Sequence, residues 1–261
     1  MPELPDVEVF KRYLDSTALN QRIDAVSVEA KRLLKGVSAA TLARHAKGQR
    51  FGATRRHGKY LFVELEGDGR WVVLHFGMTG FLKYYKDESE APEHREAEFR
   101  FADGYRLVYS APRKFGRIGL TDDPESFVEE EGLGPDALDL DLAAFRDAIA
   151  GRGAIKSRLM KQEALAGSGN VYGDEILFQA KIHPQAAAGK LSDDEVKRLH
   201  RKTSDVLERA IDAQADPARM PKSFLLPHRE QGGRCPRCGG KVRSIKVGGR
   251  TTWFCPSCQK R

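Results

Sequence analysis

The sequence predicts an α+β chain: a two-layer β-sandwich with flanking helices, then a helical region that closes in a short hairpin module. Three observations predict it. Apolar, partly β-branched runs separated by glycine-rich turns crowd residues 23–120, the mark of antiparallel strands. Apolar residues then recur at 3–4 spacing across 142–215, the mark of helices that bury one face. The only four cysteines fall in two C-x2-C pairs near the end. The expected boundaries are 1–130 for the sandwich, 131–141 for an acidic linker, 142–231 for the helical domain and 232–261 for the terminal module.

The first stretch is Met1-Pro2-Glu3-Leu4-Pro5-Asp6-Val7-Glu8. Pro5 suits the first turn of a helix, with Asp6 and Glu8 as its acidic opening and Val7, Phe10 and Leu14 as its buried face. Removal of Met1 would leave Pro2 as a secondary amine. An α-amino group titrates near pH ~8, so part of it is an unprotonated nucleophile at neutral pH. Such an amine forms Schiff bases with aldehyde-like carbons, and Glu3 beside it can carry protons. The alternative is an ordinary chain terminus.

Next come the strands. Lys59–Leu65 and Trp71–Phe76 flank Gly67-Asp68-Gly69, and Glu98–Phe101 and Arg106–Tyr109 flank Asp103-Gly104. Each pair reads as a hairpin. Residues 121–141 are acidic and carry Pro124, Gly132, Gly134 and Pro135, as a connector does. Beyond it, Leu142, Phe145 and Ile149 keep helical spacing, then Ile155 and Leu159 after Gly151-Arg152-Gly153. Gly167-Ser168-Gly169-Asn170-Val171-Tyr172 precedes a helix expected over Asp174–Phe178. Small residues there would let a phosphate approach the backbone. Ser192 and Glu195 form a capping-box pattern that opens a further helix. Residues 216–233 look irregular.

Cys235, Cys238, Cys255 and Cys258 have the spacing of a zinc ribbon. One structural Zn2+ would use all four thiolates, with a hairpin over 242–254 turning at Gly248-Gly249. A disulfide or redox C-x2-C is the alternative, disfavoured by the absence of a secretory segment. Metal binding would supply the module's folding, on the order of 10 kcal/mol. Arg250, at the bend, has no neighbouring acid in the sequence and suits a phosphate.

The net charge of +7 is uneven. Residues 234–261 hold eight Lys/Arg and no acid, whereas 122–147 hold ten acids and one base. Selected basic surfaces point to a polyanionic partner. No apolar run approaches the ~18 residues of a membrane span, so a cytoplasmic or chromosome-associated protein is expected.

Met-Pro-Glu-Leu-Pro at the start, Gly-Ser-Gly-Asn-Val-Tyr after a helix, and Cys-x2-Cys-x16-Cys-x2-Cys ending in Cys-Gln together resemble the formamidopyrimidine-DNA glycosylase/endonuclease VIII family. The resemblance runs along nearly the whole chain. It implies a helix–two-turns–helix domain between sandwich and ribbon. It also implies a bacterial, monomeric enzyme of base-excision repair acting on double-stranded DNA with a damaged base or abasic site. Such an enzyme flips a nucleotide out, cuts its glycosidic bond and nicks the strand by β/δ-elimination. By resemblance, Pro2 attacks C1′, Glu3 moves protons at the sugar, and Lys59 holds phosphate and assists elimination. Asn170, Arg250, Lys59 and His75 would bind phosphates, and Arg250 would donate a proton in the second elimination. Met78, Arg113 and Phe115 would fill the void left by the flipped nucleotide; for Met78 and Phe115 the alternative is core packing. His94, Lys156 and Arg152 fall where the family has further DNA contacts.

Four features depart from the family pattern. Asp6 stands where Glu is common, His57 looks inserted, Ser168 replaces an apolar residue, and residues 216–234 form a short version of a loop that closes over 8-oxoguanine. That last departure leaves room for an endonuclease VIII-like preference for oxidised pyrimidines, or for formamidopyrimidines; against the former, Met78 with Arg113 and Phe115 resembles the formamidopyrimidine branch. The rival readings are a non-catalytic damage- or structure-binding protein on the same scaffold and a zinc-ribbon accessory factor.

Overall fold

The computed structural model describes residues 1–260, which divide into two compact units. The first comprises residues 1–2 and 7–131, and the second residues 3–6 and 132–261.

The first unit is a sandwich of two four-stranded antiparallel sheets. One holds β2 (Arg50–His57), β3 (Tyr60–Glu66), β4 (Arg70–His75) and β8 (Arg117–Thr121) in that order. The other is ordered β1 (Ile23–Val28), β6 (Ala97–Phe101), β7 (Arg106–Ser110), β5 (Phe81–Tyr85). Both expected hairpins form, β3–β4 and β6–β7. Side chains alternate across a strand, so Leu61, Val63 and Leu65 of β3 face the inner core with Phe99, Phe101, Leu107 and Tyr109. Phe62 and Val73 point the other way, onto Trp71 and Phe127. This double burial is why β3 and β4 read as continuous apolar runs. Helix α1 (Leu4–Thr17) lays Val7 and Leu14 on the inner core, and α2 (Ala39–Ala46) adds Leu42 and Ala46.

Phe127 belongs to a helix that composition concealed. The stretch expected as a plain connector contains α3 (Pro124–Glu130), opened by Asp123, whose carboxylate accepts from Ser126 N–H at 2.7 Å. Pro at the first helical positions and an Asp N-cap are ordinary start signals. Beyond it, Ala137 is buried and Leu138 and Leu140 pack on the second unit's core.

That core is built by α4 (Leu142–Ile149), α5 (Ile155–Leu159), α6 (Asn170–Gln179) and α7 (Asp193–Asp212). The predicted Ser192/Glu195 capping box is present, and Val196, Leu199, Val206 and Leu207 form the buried face of α7. Helix α6 begins at Asn170, four residues earlier than expected, and is buried from Tyr172 to Phe178. The terminal hairpin pairs β9 (Arg243–Val247) with β10 (Arg250–Phe254) around Gly248-Gly249. The irregular segment before it is anchored by buried Met220, Phe224 and Leu225.

Candidate active site

The chain start is seated by its own peptides. Glu3 N–H donates to Asp6 Oδ2 at 2.9 Å, closing the first turn of α1, and Leu4 N–H donates to Gly167 C=O at 3.1 Å. The Glu3 side chain is 1% exposed. Its carboxylate accepts from Val171 N–H at 2.8 Å and Tyr172 N–H at 3.1 Å. Both amides lie in the first turn of α6, where helix N–H groups lack internal partners and the dipole favours negative charge. Glu3 therefore caps α6 from across the sequence. A Cβ on Gly169 would lie 2.3 Å from Glu3 Cδ, so only glycine admits the carboxylate. Gln162 braces this loop, accepting from Gly167 N–H at 3.1 Å and donating to Ser168 C=O at 2.8 Å. The sequence suggested that these glycines free the α6 amides for a phosphate; instead the Val171 and Tyr172 amides are taken by Glu3. Burial raises the Asp6 carboxyl to about 6, partly countered by the Glu3 N–H bond and reinforced by the Glu3 charge. The Tyr172 phenol is pushed up by burial and by the charges of Asp6 and Glu3.

Pro2 is half-buried, and Lys59 is buried in the β2–β3 turn. His75 ends β4 opposite Tyr60, their rings 4.9 Å apart. Burial, then the positive charges of Lys59 and Arg117, lower His75 to about 4. At neutral pH it is uncharged. Gly77 N–H donates to its Nδ1 at 3.3 Å, which leaves the proton on Nε2 as an available donor. The backbone of Gly77 has φ +59°, and a Cβ there would meet Phe115 C and O at 2.5 Å. Glycine thus lets the β4–β5 and β7–β8 loops touch. Met78 on the first loop is 36% exposed and Phe115 on the second 60%. Core packing is excluded for both. Arg113 sits 5.4 Å over the Phe115 ring, a cation–π contact that holds the two side chains together. His94 is exposed ahead of β6.

On the second unit, Asn170 is the first residue of α6, and its Nδ2 donates to Thr251 C=O at 3.0 Å. This fixes it beside Arg250, whose exposed side chain has no acidic partner among the described residues. Asn170 Oδ1 is buried without a partner. Arg152 is exposed between two glycines. Lys156, expected to reach DNA, does not reach the surface: it is 0% exposed and its ammonium lies 2.6 Å from Asp174. Helix α5 turns Ile155, Lys156 and Leu159 inward, and a buried ammonium needs a counter-charge. Sequence reasoning missed Asp174, Arg229 and Gln162 as partners of site residues. Polar identity alone carried no sign of their burial.

The four cysteine sulfurs lie within 4.8 Å of one another, with Cys235–Cys258 at 3.8 Å and Cys238–Cys255 at 3.5 Å. A tetrahedral zinc with Zn–S bonds of ~2.3 Å requires sulfurs about 3.8 Å apart. The set fits one zinc ion held by four thiolates, a structural site with no open position. Gln259 ties the site to the helical body, accepting from Cys255 N–H and donating to Ile182 C=O, both at 2.9 Å.

Comparison with known proteins matches this architecture in order. Residues 1–118 match the formamidopyrimidine-DNA glycosylase N-terminal domain, 132–221 its H2TH domain, and 232–261 the zinc finger found in FPG and IleRS. The chain belongs to the formamidopyrimidine-DNA glycosylase family. A formamidopyrimidine-DNA glycosylase of Streptococcus pyogenes is 34% identical over 277 residues, spanning 100% of this chain and 99% of its own. One from Pelobacter propionicus is 34% identical over 271 residues, with both chains covered in full. The Lactococcus lactis Fpg solved with abasic-site DNA superposes with a TM-score of 0.89 at 30% identity, over 99% of this chain and 100% of that one. Another member, solved with DNA containing carbocyclic 8-oxo-G, gives 0.87 at 30% identity with both chains fully covered. This glycosylase is accordingly a DNA-binding, zinc-containing enzyme of base-excision repair, and AP lyase activity is known for its family. No helix among its described residues is long and apolar enough to cross a membrane.

Proposed function

We propose that this glycosylase removes oxidised bases from double-stranded DNA and nicks the strand through a Schiff base on Pro2. Once Met1 is removed, the Pro2 nitrogen attacks C1′ and the base leaves with a proton. The iminium so formed loses a C2′ proton as the 3′ phosphate departs, and a second elimination releases the 5′ phosphate. Glu3 handles protons at the opening sugar, and Lys59 assists elimination. Asn170, Arg250, Lys59 and the Nε2–H of His75 hold phosphates, with Arg250 donating a proton late. Met78, Arg113 and Phe115 fill the gap in the stack, as apolar wedges do in kinked DNA. His94 and Arg152 add backbone contacts. In this reading residues 1–130 are the catalytic domain, 131–141 the connection, 142–231 the helical domain and 232–261 the ribbon. The enzyme acts as a cytoplasmic, chromosome-associated monomer.

One observation carries the reading. The carboxylate next in sequence to Pro2 is buried and held by two amides, an arrangement a DNA-binding protein without chemistry does not need. The test is borohydride capture on a duplex with one abasic site. The trimmed chain should be captured, with the adduct mapped to Pro2, and a chain with an uncleaved residue ahead of Pro2 should not. Equal capture by the extended chain refutes the mechanism.

A preference for ring-opened purines or oxidised pyrimidines over 8-oxoguanine is the second reading. It is favoured by the short 216–233 segment, pinned by buried Phe224 and Leu225 and by the Leu226 N–H bond to Glu175 at 2.8 Å. Nicking rates on duplexes that each carry one defined lesion decide between the two.

A further inference from the structure

Asp174 is 0% exposed and takes four donors. Its Oδ1 faces Lys156 Nζ at 2.6 Å. Its Oδ2 faces Arg229 Nη2 at 2.8 Å, Arg229 Nε at 3.1 Å and Trp253 N–H at 3.0 Å. Lys156 Nζ also donates to Asn170 C=O at 2.5 Å. Strand β10 is therefore gripped twice by α6: at Thr251 C=O by the Asn170 side chain, and at Trp253 N–H by Asp174. Thr251 follows Arg250 directly along the strand, and Trp253 lies two residues further on. The β9–β10 sheet has only these two strands, so no wider sheet fixes its register against α6.

A buried charge cluster is a poor device for stability alone, since desolvation offsets much of the attraction. It is a good device for holding one geometry, because every donor has a single place to go. We infer that Asp174 is a positioning residue which, with Lys156 and Arg229, locks β10 to the first turn of α6 and so presents Asn170 and Arg250 to phosphate as one fixed pair. The inference rests on the reading of Asn170 and Arg250 as phosphate contacts. It also gives Lys156 its work: the ammonium orders the clamp from beneath.

Two measurements test it on the zinc-loaded, full-length enzyme. The first needs no DNA. In Asp174→Asn, whose neutral amide oxygen accepts more weakly than the carboxylate and whose NH2 cannot accept from Lys156 or Arg229, hydrogen exchange at the Trp253 amide should speed about tenfold, while α7 amides stay unchanged. Unaltered exchange at Trp253 overturns the inference whatever DNA binding does. The second is a double-mutant cycle in affinity for a duplex bearing a tetrahydrofuran abasic analogue. Arg250→Ala should weaken binding and lower the salt slope by about one. Asp174→Asn should weaken binding about tenfold with zinc still bound, and by less than about twofold once Arg250 is already alanine. A merely structural role gives additive losses, which overturns the positioning claim. An Arg250→Ala variant with unchanged affinity and slope instead overturns the phosphate reading. Should Asp174→Asn fail to fold, Arg229→Gln removes two of the four donors at the cluster's edge and must show the same non-additivity on a smaller scale.

Discussion

Gly169→Ala isolates the seating of the chain start from its chemistry. The backbone at Gly169 has φ −138° and ψ −152°, an extended conformation with negative φ, so no left-handed strain enters. The added Cβ would lie 2.3 Å from Glu3 Cδ and 2.4 Å from Oε1. Ordinary carbon contacts begin near ~3.5 Å, so the carboxylate must retreat by about 1 Å. That displacement breaks the bonds to Val171 and Tyr172, now 2.8 and 3.1 Å. Hydrogen bonds to a charged group are worth about 1.5–3 kcal/mol each, so the expected loss for the two is roughly 3–6 kcal/mol. Urea denaturation at pH 7 reads it. Single-turnover excision should fall as well, by about 10²–10⁴ if Glu3 moves protons. The Glu3→Ala/Gly169→Ala double variant should be no less stable than Glu3→Ala, because the clash has lost its object. A Gly169→Ala protein within about 0.5 kcal/mol of wild type, at full activity, would refute the seating of Glu3 on α6.

Two further outcomes are expected. Burial lifts the Glu175 carboxyl to about 7, where it accepts from Gln179 Nε2 at 2.7 Å and Leu226 N–H at 2.8 Å. An acid whose folded pKa is raised holds its proton in the folded state after the unfolded chain has released it. Stability is thus greatest below the unfolded value and is lost as pH rises through about 7. Glu175→Gln should shrink the stability difference between pH 5 and pH 8 by about 2 kcal/mol; urea curves of equal steepness in pH for both proteins would remove the argument. The second concerns the metal. With only two tryptophans, Trp71→Phe leaves Trp253 as a reporter of the ribbon. Chelation should shift its emission to the red and abolish duplex binding, and neither change after verified zinc loss would count against the structural role.

Where local pattern and tertiary need agree, the sequence was legible. The β3–β4 and β6–β7 hairpins announce themselves through apolar strands and Gly/Asp turns, α7 through its capping box, and the ribbon through cysteine spacing. Strand β2 is different. Arg50, Thr54, Arg55 and Arg56 give it no apolar alternation, and it becomes a strand by pairing with β3 through an irregular register. Helix α3 was masked because ten acids in one stretch read as solvent-exposed, although Asp123-Pro124 is a start signal. At the site, Pro2, Glu3, Asn170 and the cysteines were singled out by residue type and position. The Lys156–Asp174–Arg229 cluster was not, because burial of a charge is decided by segments 18 and 55 residues apart. Lys156 was read as a surface residue for the same reason.

The bond between Glu3 and Val171 spans 168 positions, and that span sets an order of events during synthesis. The ribosome emits the Glu3 carboxylate at the outset and its seat on α6 only some 168 residues later. Closing so long a loop costs on the order of 4–5 kcal/mol of chain entropy, so the leading turn stays unclasped until α6 and its glycine loop exist. A nascent chain that stops short of Val171 contains every strand of the sandwich and no seated carboxylate. The seating of the chain start thus waits for the second unit, and an unfinished copy that ends before Val171 leaves the Glu3 carboxylate without its two amides.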